Sequence, residues 1–223
     1  MLDYGMTIPA NFDRRQHWAD PDSDSAEVRQ INGGKLHRFS RPEFYLKITI
    51  GEQMMSSVIP KRVDRSMSIL EYGCNTGRCL ARLYREGYRN LTGLEINPKA
   101  VALGLKTFPE MQNINIMIAA LEDVVRNLPH FDCIYGVGVL MHLPPEFDWV
   151  LPELFSRADY LIMTSENEEE TDGYFKWARN YRQIIEPLGW VQVEEERGDK
   201  YPPYPRSTIK RVFMKDGDEH NID

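Results

Sequence analysis

From residue 67 to residue 187, short apolar runs alternate with amphipathic stretches of helical period, and no other pattern in the chain restricts the fold so severely. The runs predict strands at 67–72, 90–95, 114–119, 131–136 and 158–164, and the segments between and after them predict helices at 77–86, 98–107, 121–127, 146–156 and 174–187. Helices joining successive strands imply right-handed crossovers and a mostly parallel sheet covered on both faces, an α/β doubly wound architecture. Strands predicted at 190–196 and 207–214 have no helix between them. They are expected to complete a seven-stranded sheet as an antiparallel C-terminal hairpin at one edge.

At 223 residues and 42% hydrophobic content the chain suits one such domain with an extension. Residues 1–64 read as an N-terminal arm and helix, 65–215 as the ligand-binding domain and 216–223 as an acidic tail. The arm carries Tyr4, Phe12 and Trp18 among polar residues without a sustained period, the composition of a surface arm or of a lid. Between Pro42 and Ile59 the apolar positions Phe44, Ile48, Met55 and Ile59 fall near one helical face, which predicts a single helix ended by Pro60.

Composition narrows the function. No run approaches the roughly 18 apolar residues of a membrane span, and the N-terminus lacks the segments of a secretory signal, so a soluble cytoplasmic protein is expected. The three cysteines, Cys74, Cys79 and Cys133, form neither a disulfide framework nor a metal-binding spacing and read as reduced thiols. A formal charge of −7 argues against a protein that holds nucleic acid through phosphate contacts. The basic cluster Lys61, Arg62 and Arg65 reads as a solvated turn.

The segment Ser68-Ile69-Leu70-Glu71-Tyr72-Gly73-Cys74-Asn75-Thr76-Gly77-Arg78-Cys79-Leu80 is a strand entering a tight turn and then a helix. Gly73 and Gly77 permit backbone angles and a close approach that a side chain would block, and helix N-terminal amides face the same space. A dinucleotide-binding turn would read GxGxxG around a pyrophosphate. Here Glu71 precedes the first glycine, and a carboxylate suits a ligand bearing an amino group and a sulfonium rather than a pyrophosphate. The expected cofactor is therefore S-adenosylmethionine. Glu95 ends the adjacent strand, where a carboxylate accepts both ribose hydroxyls.

Glu-Tyr-Gly-Cys-Asn-Thr-Gly resembles the first motif of class I S-adenosylmethionine-dependent methyltransferases, an acidic residue followed by GxGxG, with Asn75 at the middle glycine. Leu94-Glu95-Ile96-Asn97-Pro98 resembles the second motif, and the stretch from Phe131 to Pro144 resembles the fourth-strand segment. A weaker resemblance, through GCNxGRxL and GVLxHxPPE, points to methylases of sugar and cell-surface carbohydrate pathways. The resemblance implies the Rossmann-like methyltransferase fold and a set of roles. Glu71, Gly73, Cys74, Asn75, Thr76 and Gly77 would surround the methionine part, and Glu95 and Ile96 the ribose and adenine. Leu121 or Glu122 would meet the adenine amine, and Gly136 and Val137 would offer backbone contacts. Tyr45, with Arg38, His17 and Trp18, is placed to close over the site from the arm, Tyr45 as a cofactor contact.

Methyl transfer from a sulfonium is a direct displacement, and positioning an acceptor lone pair can supply ~7–11 kcal/mol of its barrier. No HxH pair or carboxylate cluster calls for a metal. His142 and Glu166, after the fourth and fifth strands, are the candidate catalytic residues, His142 as a base or as a turn cap. Asn167, Tyr174, Trp177 and Arg179 are the candidate substrate-binding residues, and Tyr174, Trp177 and Tyr181 would form one helical stripe. The Asn/Asp-Pro-Pro-Tyr segment of base and glutamine methylases is absent after the fourth strand, and Pro202-Pro203-Tyr204 reads as a rigid loop. The leading expectation is a methyltransferase acting at O or N of a small polar metabolite, a sugar among the candidates. An RNA or protein methyltransferase, or a non-catalytic cofactor-binding subunit, are the alternatives.

Overall fold

A computed structural model describes residues 12–30, 40–47, 49–171, 175–202 and 205–215. The seven strands are β1 (Ile69–Tyr72), β2 (Leu91–Glu95), β3 (Asn115–Ile118), β4 (Phe131–Val137), β5 (Ala158–Asn167), β6 (Trp190–Arg197) and β7 (Thr208–Lys215), in the order β3-β2-β1-β4-β5-β7-β6. β1 to β5 run parallel, and β7 lies antiparallel between β5 and β6. The doubly wound fold and C-terminal hairpin expected from the pattern are present.

The described helices are α1 (Arg14–Ala19), α2 (Ala26–Gln30), α3 (Pro42–Tyr45), α4 (Ile50–Ser56), α5 (Ile59–Arg62), α6 (Arg78–Arg85), α7 (Pro98–Thr107), α8 (Leu121–Val124), α9 (Val150–Phe155) and α10 (Tyr181–Ile185). Side chains alternate across the sheet. Ile69, Tyr135, Leu161 and Val212 join Met54, Ile59, Leu80 and Leu83 on one face. Leu70, Tyr72, Ile134, Ile162 and Phe213 join Leu154, Phe155, Tyr181 and Ile185 on the other.

The edge is held by charge. Glu194, Glu195 and Glu196 on β6 would repel one another, but consecutive residues of β7 answer them on opposite faces. Lys210 reaches Glu194 at 2.7 Å and Glu196 at 2.6 Å, and Arg211 reaches Glu195 at 2.5 Å and Glu168 at 2.8 Å. This explains why the last strand inserts beside β5 and leaves the acidic strand outermost.

Two helices expected from periodicity are corrected. The single helix over 42–59 is broken into α3 and α4, because Arg78 donates to the carbonyl oxygens of Tyr45 and Leu46, acceptors that a continuing helix would need. Pro60 does not end that helix; it occupies the first turn of α5. In place of a helix over 174–187, α10 begins at Tyr181, where the Asn180 side chain accepts from the Gln183 amide at 3.2 Å. Residues 175–180 instead run along the turn after β4, with the Trp177 amide donating to the Met141 carbonyl at 2.9 Å. The expected stripe of Tyr174, Trp177 and Tyr181 therefore does not exist as a helical face, and Tyr174 lies outside the described residues.

Candidate active site

β1, β2 and β4 end on the same edge of the sheet, and a concave cavity opens where the chain leaves them. Three residues of the turn after β1 have positive φ: Gly73 at 65°, Asn75 at 50° and Gly77 at 69°. Asn75 tolerates this region better than most side chains, and its Oδ1 accepts from the Thr76 amide at 2.9 Å. The turn is fastened by Glu95, whose Oε2 accepts from the Asn75 amide and Oε1 from the Asn97 amide, both at 2.8 Å. Asn97 in turn caps α7 by accepting from the Lys99 and Ala100 amides. One carboxylate at the end of β2 thus fixes both the glycine turn and the next helix start. Burial raises its pKa, opposed by the amides of Asn97, Asn75 and Ile96.

Of the residues singled out from sequence, Tyr45, Gly73, Asn75, Glu95, Ile96, Leu121, Glu122, Val137 and His142 line the cavity. Others do not, each for a visible reason. Glu71 follows the strand alternation to the far face, buried beside Tyr135 and Cys79 beneath the start of α6; burial pushes its pKa up to about 8. Cys74 packs against Gly93, Gly77 against Met111, and Thr76 against Gly104 of α7. Gly136 makes room for the Tyr72 ring, which a Cβ would meet at 2.0 Å. Asn167 is buried and donates to the Glu170 carbonyl at 2.5 Å.

Glu166, Arg179 and Trp177 also stand apart from the cavity. Glu166 is fully buried and accepts from the Val139, Leu140 and Met141 amides. Arg179 grips the carbonyls of Leu140 and Leu143 and pairs with Asp148 at 2.6 Å. Trp177 is buried beneath the Arg14 guanidinium, 5.3 Å from its ring centre. None of these three is in the cavity wall. Arg38 lies outside the described residues.

The cavity also takes in residues that sequence reasoning passed over: Arg14, Arg15, Ser40, Asn97, Val139 and Phe147. Asn97 carried a local signal, an Asn before Pro at a helix start. Arg14, Arg15 and Ser40 carried none, because the N-terminal segment reaches the site through long-range pairs: Arg15 with Asp123, and Lys99 with Asp20 at 2.6 Å and Asp22 at 3.1 Å. Trp18, named from topology as a closing residue, is in the wall, whereas His17 is buried behind it, its Nδ1 2.6 Å from Asp24.

His142 stands in the cavity wall. Its Nδ1 lies 2.6 Å from the Phe175 carbonyl oxygen, which can only accept, so Nδ1 carries the proton and Nε2 the lone pair in the neutral ring. Burial and the nearby Glu95 carboxylate push the Tyr45 hydroxyl up to about 12. Among the described residues no group of three or more His, Cys, Asp or Glu side chains is placed to hold a metal ion.

The residues present fit S-adenosylmethionine. Glu95 lines the cavity, and its carboxylate keeps acceptor capacity for a ribose hydroxyl beyond the backbone amides it holds. Ile96, Ala119, Leu121 and Phe147 offer the small and apolar walls a purine requires, and Gly73 and Gly138 bring bare backbone to the surface. The fold is the Rossmann-like methyltransferase fold, and the site has the walls that S-adenosylmethionine requires.

Comparison with known proteins agrees with that fold and cofactor. A family model described as a methyltransferase domain matches residues 69–158. The chain is 25% identical over 117 residues to EEF1A lysine methyltransferase 2 of Mus musculus, covering 50% of this chain and 44% of that protein. To the protein of the same name from Danio rerio it is 30% identical over 108 residues, covering 45% and 46%. The chain thus spans less than half the length of these curated relatives. Among solved structures, magnesium protoporphyrin IX methyltransferase of Synechocystis with bound S-adenosylmethionine superposes with a TM-score of 0.63 at 17% identity, over 93% of this chain and 100% of that one. The [4+2]-cyclase SpnF superposes with a TM-score of 0.58 at 14% identity, over 74% and 80%. That a cyclase shares the architecture shows that the fold alone does not name the reaction.

Proposed function

We propose that this chain transfers the methyl group of S-adenosylmethionine to an oxygen or nitrogen of a small polar metabolite, a sugar among the candidates. The observation that carries the reading is that the N-terminal segment lines the cavity. Arg14, Trp18, Ser40 and Tyr45 all enter the wall from the N-terminal segment, which is tied across the site to Lys99 and Asp123. A wall built in part from this segment favours an acceptor small enough to be enclosed and supports a lid role for residues 1–64.

Bound there, the cofactor supplies an electrophilic methyl carbon on a cationic sulfur. Glu95 and the glycine turn orient it, and Trp18 with the arm excludes water. His142, through Nε2, takes the proton from an acceptor hydroxyl or ammonium. The three free cysteines are all buried, which fits a reducing, cytoplasmic setting. No described helix is long and apolar enough to cross a membrane.

A second reading is methylation of a protein lysine, favoured by the two curated relatives. The experiment is an assay of S-adenosylhomocysteine release with two acceptor panels, one of sugars, hydroxy acids and small amines, the other of lysine-bearing peptides and purified translation factors. Release with the first panel alone supports the metabolite reading. Release with the second alone replaces it.

A further inference from the structure

The turn that follows β4 is held from both sides by residues that never reach the cavity. Glu166, near the end of β5, directs its carboxylate at consecutive amides. Oε1 lies 3.1 Å from both the Val139 and Leu140 nitrogens, and Oε2 lies 3.0 Å from Val139 and 3.2 Å from Met141. Arg179 takes the carbonyl side: Nη1 donates to Leu140 O at 3.3 Å and Nη2 to Leu143 O at 2.7 Å, while Nε donates to Asp148 at 2.8 Å. The turn Leu140–His142 thus has successive amides taken by a carboxylate and flanking carbonyls taken by a guanidinium.

What the turn carries explains why it is held. Val139 packs over Gly73 so closely that a Cβ on the glycine would lie 2.4 Å from Val139 Cγ2. His142, at the other end, stands in the cavity wall against Trp18. Leu140 is buried in the core and anchors the middle of the turn, while Val139, Met141 and His142 on either side of it are partly exposed. A buried carboxylate also carries a desolvation cost, visible in the pKa of Glu166, pushed up to about 7 although three amides pull it down. A solvent-exposed loop merely needing to be closed would not require it.

We propose that Glu166 and Arg179 are positioning residues that act through this turn, setting where Val139 meets the bound cofactor and where His142 faces the acceptor. The His142 half rests on the methyl-transfer reading, whereas the Val139 half is read by cofactor binding alone.

The test uses the full chain and S-adenosylmethionine as the probe, at a pH above that at which Glu166 ionises. Glu166→Gln keeps the shape but places an amide donor against backbone donors. Arg179→Lys keeps the charge and loses the fork that spans two carbonyls. Cofactor affinity is read by calorimetry, the His142 ring by its NMR shifts, and folding by circular dichroism and thermal melting. The expected result is a folded Glu166→Gln protein that binds S-adenosylmethionine about tenfold or more weakly, as loss of a charged hydrogen bond would give, with displaced His142 resonances. Arg179→Lys is expected to move both readouts in the same direction, and it decides the matter should Glu166→Gln not fold. Parental affinity and parental His142 shifts in a folded variant, with only the melting temperature lowered, would assign these residues to stability and overturn the proposal. Weakened binding without methyl transfer to any acceptor would leave the positioning role standing and remove the proposed reaction instead.

Discussion

The indole of Trp18 and the imidazole of His142 lie with ring centres 4.4 Å apart, tilted by 43°. One ring comes from the N-terminal segment and the other from the turn after β4, and both line the cavity. The contact places the candidate base under an aromatic cover, with its tautomer set by the Phe175 carbonyl.

If Nε2 of His142 takes the acceptor proton, His142→Ala should lower turnover by about 100-fold or more, in the range general bases contribute. Its affinity for S-adenosylmethionine should change far less. Turnover measured on the first acceptor found, beside a calorimetric titration, separates the two. Unchanged turnover would take His142 out of the mechanism.

Glu95 is expected to dominate cofactor affinity. Glu95→Gln leaves one acceptor oxygen for the Asn75 and Asn97 amides and turns a donor toward the other, so both the glycine turn and the ribose contact suffer. A loss of roughly 10- to 150-fold in affinity follows from about 1.5–3 kcal/mol per charged hydrogen bond. A variant that titrates like the parent would move the ribose site elsewhere.

Gly73→Val should abolish cofactor binding for a reason internal to the wall. A Cβ there meets Val139 at 2.4 and 2.8 Å, and the φ of 65° is strained for any β-branched residue. The β-sheet should persist, as judged by circular dichroism. Gly73→Ala combined with Val139→Ala relieves the contact but not the angle, and is expected to recover part of the affinity. If the double variant binds no better than Gly73→Ala alone, the contact with Val139 is not the cause.

Glu71 makes stability depend on pH with a definite sign. Its folded-state pKa of about 8 exceeds the ordinary 4.5, with burial the main cause, and its Oε2 has no hydrogen-bond partner among the described residues. Between those values the native protein holds a proton that the unfolded chain has released, so stability falls as pH rises through the window and levels off above it. Glu166 contributes a slope of the same sign up to about 7. Melting curves of the parent and Glu71→Gln across this range should diverge as pH rises, the variant becoming the more stable. A difference between them that does not vary with pH would show that Glu71 is ionised in the folded protein.

Much of the architecture is legible in the amino-acid sequence. The strand and helix periods, the left-handed glycine turn and the carboxylate at the end of β2 are local properties, written within a few residues by sterics and hydrophobic alternation. Strict alternation even contained the correction for Glu71: with Ile69 it points to one face while Leu70 and Tyr72 point to the other, so it sits beneath α6 and not in the cavity.

The amino-acid sequence by itself determined the sheet's class, the place of the glycine turn and the position of Glu95, because each depends on backbone angles and side-chain periods of neighbouring residues. Only the tertiary structure decided that Arg14, Ser40 and Trp18 wall the cavity, that Glu166 and Arg179 bond to the turn after β4, and that β7 lies inside β6. Those outcomes rest on ion pairs and amide contacts between residues far apart in the chain. Their formation depends on the whole fold bringing the partners together, and no local spacing records it.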